Sequence, residues 1–172
     1  MAQQVFGGHG YVHEWGIEQI VRDARIGQIY EGTNGVQALD LMGRKTLRDG
    51  GVRLRKFIDQ IAQDEVSDQY QSELNDAFDR LIRVTAYVVD HAADEVNLPG
   101  AVSTEFLELF GLTIYAWLWA RMVAVAPADD FGDAKRATAK FFFARLLPKT
   151  IGLEASICRS SDAVMALPAD LF

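Results

Sequence analysis

Apolar residues along this chain recur mainly three and four positions apart, and few segments alternate with a period of two. That spacing puts them on one face of a helix, so the pattern predicts an all-α chain. A short helix is expected over 17–26, with Ile17, Ile20, Val21 and Ala24 on one face. A second should begin at Thr33 or Asn34 and run to about 45, burying Val36, Leu39 and Gly43, with Asn34 and Gln37 spaced as a capping box. Asp49-Gly50-Gly51 breaks the pattern and marks a domain boundary, giving domains 1–48 and 49–172.

Beyond it, 52–63 carries Leu54, Phe57, Ile58 and Ile61 at helical spacing. A long stripe over 67–96 contains Tyr70, Leu74, Phe78, Leu81, Thr85, Val88 and Ala92, and Asn97-Leu98-Pro99-Gly100 is expected to end it. A third helix is predicted over 103–126, capped by Ser103 or Thr104 and stopped before Pro127. A fourth starts near Asp130 with Ala134, Ala137, Phe141, Phe142 and Leu146 inward. Pro148 should kink or interrupt it, and a last helix reaches about Leu167. Long helices with short connections predict an antiparallel helical bundle after residue 49.

Composition narrows the classes. The chain has 172 residues, 49% of them hydrophobic, which is enough for a core without staples. A net charge of −7 speaks against a nucleic-acid surface. Its basic cluster, Arg53-Leu54-Arg55-Lys56, reads as a solvated helix face. Cys158 is the single cysteine, so no intramolecular disulfide can form, and a buried structural thiol in a reducing, cytoplasmic setting is expected. The start lacks the basic and apolar regions of a signal peptide. The apolar run 109–120 is shorter than the roughly 20 residues a bilayer requires, so it reads as a bundle helix and no membrane span is expected.

The chemistry-bearing residues cluster near the start. Gln4-Val5-Phe6-Gly7-Gly8-His9-Gly10-Tyr11 precedes Arg22-Asp23-Ala24-Arg25-Ile26, and Tyr30-Glu31-Gly32-Thr33-Asn34-Gly35 follows, with Glu31 27 positions after Gln4. A Glu-Gly pair alone fits a loop with a solvated acid, and glycine clusters usually mark turns. No strand precedes the glycine run, so it is not a dinucleotide-binding fingerprint. Arg22 and Asp23 read as members of an ion pair. No Cys, Asp or Glu completes a zinc-like set around His9 and His13, so no metal is expected. His91 should be exposed, and the aromatics Phe106, Phe110, Trp117, Trp119 and Phe141–Phe143 should be core.

Taken together, Gln-x-x-Gly-Gly, Arg-Asp-Ala-Arg-Ile and Tyr-Glu-Gly-Thr resemble the last catalytic stretch of the acyl-CoA dehydrogenase family. The resemblance is specific over about residues 3–45. It implies the C-terminal part of a FAD-dependent enzyme, in which Glu31 removes the α-proton of an acyl-CoA thioester and a flavin takes the β-hydride. By the same resemblance Gln4, Gly7 and Gly8 contact the FAD of a neighbouring subunit, Thr33 and Gly35 lie near the flavin nucleotide, and Tyr30 and Gly32 line the substrate pocket. Many relatives carry a bulkier residue at position 35; glycine leaves only the backbone to serve there.

The resemblance further implies an acyl-CoA substrate, electron-transferring flavoprotein as acceptor and a homo-oligomer. Some long bacterial members append a helical domain of about a hundred residues, and the stretch after 52 is similar to it in length and helicity. Such members act on varied acyl chains, methylthiopropanoyl-CoA among them. The chain is expected to be inactive in isolation. A reading from another class stays open: a non-catalytic helical interaction or oligomerisation module that retains the motif.

Overall fold

A computed structural model describes residues 2–30 and 32–171. The chain is all-α, and no strand occurs among the described residues. It divides into two compact units, Met1–Gln37 and Ala38–Phe172.

The first unit holds α1 (Ala2–Val5), a 3-10 turn at Gly7–Gly10, a second at His13–Trp15, and α2 (Ile17–Ile26). Gly16, left-handed at φ +69°, starts α2. The helix has the predicted bounds, but its apolar face stays open: no α2 residue is buried and Ile20 is 62% exposed.

α3 (Asn34–Leu39) begins at the end of this unit and continues as a π-helical stretch, Asp40–Thr46, in the second. Here the expected face is wrong. Val36 and Leu39 are more than half exposed and Gly43 is exposed, whereas Ala38, Met42 and Thr46 are buried. Those three are four residues apart, so they share one side of the helix. Asn34 is the first helical residue rather than the cap, and the Gln37 N–H donates to the Thr33 carbonyl at 3.0 Å.

The bundle proper follows two left-handed glycines, Gly50 and Gly51. A Cβ on Gly51 would sit 2.9 Å from Thr85 Cγ2, so glycine is needed there for backbone and space alike. α4 (Val52–Ile61) buries Leu54, Ile58 and Ile61 as expected, and leaves Arg53, Arg55 and Lys56 in solvent. A 3-10 turn (Asp68–Tyr70) leads into α5 (Gln71–His91), whose buried stripe includes Leu74, Phe78, Leu81, Thr85 and Val88. α5 stops at His91, five residues before the expected end, and His91 is exposed as predicted, stacked on Tyr87.

α6 (Leu98–Ala124) overturns the reading of Pro99-Gly100 as a terminator, since Pro99 lies in its first turn. The first turn's N–H groups have no intrahelical partner, so a proline costs nothing there. Ser103 is therefore interior, and its hydroxyl donates to the Gly100 carbonyl at 3.2 Å. α6 packs on α5 and α8, and also on α7 and the Asp40–Thr46 stretch. It is nevertheless long and apolar enough, by length and composition, to cross a membrane.

α7 (Asp130–Phe141) is capped by Asp129, which accepts from Gly132 N at 2.9 Å. It then rewinds into a π-helical stretch, Phe142–Leu146, with Leu147 N bonded to Phe142 O across five residues. Pro148 interrupts the helix as expected, and α8 (Lys149–Ile157) starts after it. The inward face agrees with the prediction only in part: Phe142 and Phe143 are buried and Leu146 is half-buried as expected, but Ala134, Ala137 and Phe141 are exposed and Ala139 and Leu147 are buried instead. The wider winding lets two successive phenylalanines turn inward, and Phe143 stacks on Tyr70 at 4.0 Å. The last expected helix is broken at Cys158–Ser161, leaving a short α9 (Asp162–Met165). Glu95 holds that break, its carboxylate accepting from Ser161 N at 2.9 Å and Oγ at 3.2 Å. Cys158 is half-buried rather than buried, and desolvation, followed by the Glu154 charge, pushes its thiol pKa up.

Phe106, Leu109, Leu74, Leu81 and Ile157 are fully enclosed, so the core lies where α5, α6 and α8 meet. Glu154 ties α8 to α5 by accepting from Arg80 Nε at 2.9 Å and Arg83 Nη2 at 3.0 Å.

Candidate functional site

The candidate residues of the first unit fall into two groups. Gln4 lies exposed on α1, and Gly7 and Gly8 lie exposed on the 3-10 turn after it. Tyr30, Gly32, Thr33 and Gly35 follow the end of α2, about 15 Å of helix beyond its start. Glu31, the expected base, lies outside the described residues. Tyr30, Thr33 and Gly35 are exposed and Gly32 is half-buried.

Each glycine answers a different demand. Gly10 is buried against α1, so close that a Cβ there would collide with the Gln3 carbonyl oxygen. Gly7 is left-handed at φ +57°. Gly8 has an ordinary φ, and a Cβ on it would meet nothing within 4 Å, so nothing among the described residues requires glycine there. Gly35, in the first turn of α3, has at most a marginal neighbour at 4.0 Å. A glycine that its own chain does not need, on an open surface, is what a backbone approached by an outside ligand requires. Gly32 sits at φ +124°, a region that side chains avoid, and the Gln37 amide folds back over it.

The glycine run is anchored by its neighbours. The Trp15 ring lies 6.4 Å from that of Phe6 and 5.3 Å, edge-on, from that of His9. His13 Nδ1 donates to Glu18 Oε1 at 3.1 Å, and Arg22 Nε donates to Glu18 Oε2 at 2.7 Å. The hydrogen bond from His13 is the largest of the effects that hold the Glu18 carboxyl below its ordinary pKa; desolvation opposes it, and the Arg22 hydrogen bond and charge then add to the lowering. Arg22 is thus in an intrahelical ion pair within α2, as expected, with Glu18 as its partner. The four-residue spacing of Glu18 and Arg22 was a legible signal for that pair. No sequence pattern pointed to Trp15.

Two family models match. "Acetyl-CoA dehydrogenase C-terminal like" covers residues 53–168, and "Acyl-CoA dehydrogenase, C-terminal domain" covers residues 1–46. Among curated relatives, the 3-methylmercaptopropionyl-CoA dehydrogenase of Ruegeria pomeroyi is 32% identical over 177 residues, covering 94% of this chain and 30% of that protein. The broad-specificity linear acyl-CoA dehydrogenase of Mycobacterium tuberculosis is 33% identical over 192 residues, covering 98% of this chain and 31% of that protein. A butyryl-CoA dehydrogenase of Syntrophomonas wolfei is 26% identical over 188 residues, covering 99% and 31%. The chain therefore spans about 30% of the length of these relatives. With one C-terminal model over the glycine run and the Tyr-Glu-Gly-Thr segment and another over the bundle, the chain belongs to the acyl-CoA dehydrogenase family and corresponds to its C-terminal domains.

Proposed function

We propose that this chain supplies the catalytic base and part of the flavin surface of a FAD-dependent acyl-CoA dehydrogenase, which converts an acyl-CoA thioester to the 2-enoyl-CoA. The observation that carries the reading is the Tyr30-Glu31-Gly32-Thr33 segment 27 positions after Gln4, with Gly32 in a conformation suited only to glycine. In this role Glu31 takes the α-proton. A carboxylate serves as such a base where its pocket excludes water, because desolvation raises a carboxylate's pKa toward the operating pH. Gly32 lets the thioester approach the backbone and Tyr30 walls the pocket.

The open backbone at Gly7, Gly8 and Gly35 fits a flat or phosphorylated group lying against it. Gln4, Gly7, Gly8, Thr33 and Gly35 are the residues that would hold FAD. When bound, FAD supplies the hydride acceptor for the β-carbon. Residues 1–48 form the catalytic end of the dehydrogenase domain in this reading, and 49–172 an appended bundle serving packing within a homo-oligomer. Electron-transferring flavoprotein is the acceptor, and the compartment is the cytoplasm.

The test is Glu31→Gln in the complete enzyme, mixed rapidly with an acyl-CoA without oxygen while flavin bleaching is followed. The variant keeps shape and loses the basic site, so reduction should slow on the order of 10²–10⁴-fold with substrate still bound. Glu14→Gln, an acid outside the motif, should stay within a few-fold. Bleaching of Glu31→Gln at the wild-type rate would place the base elsewhere. The same holds if it slows no more than Glu14→Gln, and this chain is then the non-catalytic module.

A further inference from the structure

Phe6 and His9 flank Gly7-Gly8 in sequence, and both of their rings meet the single indole of Trp15. We propose that Trp15 is a positioning residue, whose indole fixes the backbone of Gly7 and Gly8 where the flavin nucleotide lies; this rests on the reading that FAD contacts those glycines. Two adjacent glycines have no side chains with which to lock themselves, and glycine is the freest residue in an unconstrained chain. A binding surface made of their N–H and C=O groups is therefore only as well defined as its two ends. Trp15 holds both ends at once.

Its own anchor is equally local. His13–Trp15 is a 3-10 turn, and Gly16 turns it directly into α2. His13 reaches across that junction to Glu18, which Arg22 grips one helical turn further on. The sequence of contacts runs from α2 through Glu18 and His13 to Trp15, and from its indole to the two rings that bracket the glycines. Trp15 is 54% exposed. A purely stabilising role is a poor use of such a tryptophan.

The enzyme carrying this chain is stripped of FAD and titrated with it, flavin fluorescence reporting the dissociation constant. Each aromatic pair beyond simple burial corresponds to roughly 2–10-fold, so losing both should weaken FAD binding about tenfold or more in Trp15→Ala. Trp15→Phe keeps a ring and should recover most of that loss. Glu18→Gln, which loosens the anchor and leaves the indole, should weaken binding by a smaller factor. At saturating FAD the rate of flavin reduction should stay within about threefold in all three, because the chemical step uses none of them.

Gly8→Leu separates this inference from the reading beneath it. A Cβ at Gly8 meets nothing within 4 Å among the described residues and the position is exposed, so the fold should tolerate the substitution while FAD is displaced. If Gly8→Leu weakens FAD and Trp15→Ala stays within twofold, the positioning role is wrong and the flavin surface stands. Failure of Trp15→Phe to recover affinity, or an equal fall in the saturated rate, also overturns the role. If Gly8→Leu binds FAD normally, the flavin surface falls and the inference falls with it.

Discussion

Substituting Gly32 tests the catalytic segment through its backbone, independently of the carboxylate it adjoins. Gly32 has φ +124°, and a Cβ built on it would sit 2.7 Å from the Gln37 side-chain nitrogen. In Gly32→Ala the two effects differ in size. The steric clash is with the tip of a flexible side chain, which can swing away at little cost. The backbone cannot, and holding alanine in that conformation costs on the order of 1–3 kcal/mol. The segment will relieve the strain by moving φ to a negative value, which re-aims the residue before it. A misplacement of about 1 Å can cost about 10²-fold in a reaction that depends on positioning. Flavin reduction in the complete enzyme should therefore slow roughly 10–100-fold, with bound FAD retained and the bundle's unfolding unchanged.

The double variant Gly32→Ala/Gln37→Ala distinguishes the causes. If strain dominates, deleting the Gln37 side chain restores nothing. Recovery of the wild-type rate in the double variant would show that the clash was the cause. A wild-type rate in Gly32→Ala itself would refute the whole line of reasoning. The assay is anaerobic stopped-flow reduction with a good acyl-CoA, alongside circular dichroism melting.

Three further outcomes are expected. The isolated chain should purify colourless and fail to oxidise acyl-CoAs with an artificial acceptor; a yellow preparation with stoichiometric FAD would contradict this. Phe106→Ala should destabilise the bundle by about 3–5 kcal/mol in urea unfolding, since the ring is fully enclosed and leaves a cavity. The Asp40 pKa is held down to about 2, chiefly by hydrogen bonding with Arg44 and then Lys45, and that of Glu95 below 4.5 by Ser161 and Ser160. A carboxyl depressed on folding stabilises above its unfolded value and ceases to as pH falls through its folded value. The melting temperature should thus decline from about pH 4.5 toward pH 2, and Asp40→Asn/Glu95→Gln should flatten that decline; an unchanged slope would show that neither carboxylate contributes.

The local content of the sequence was enough for much of this molecule. Period-3.6 spacing located α2 and α4 and the inward stripe of α5, because a helix that buries one face must repeat its apolar residues at that period. Gly50-Gly51 and Pro148 marked real breaks, since glycine readily takes the left-handed turn other residues avoid and proline's ring removes a helix donor. The chemical motifs were legible for the same reason: they are short and depend on residue type at fixed spacing. What the tertiary structure alone decided is which of several possible faces turned inward. Near Val36 and Leu39 the chosen side is Ala38, Met42 and Thr46, and along α7 it is Ala139 rather than Ala134, Ala137 and Phe141. Pro99 opens α6 rather than closing α5, because a proline is tolerated at a helix start and only the neighbouring packing tells start from stop. Trp15 belongs with these. Its meeting with Phe6 and His9 depends on a turn between them that no periodicity encodes.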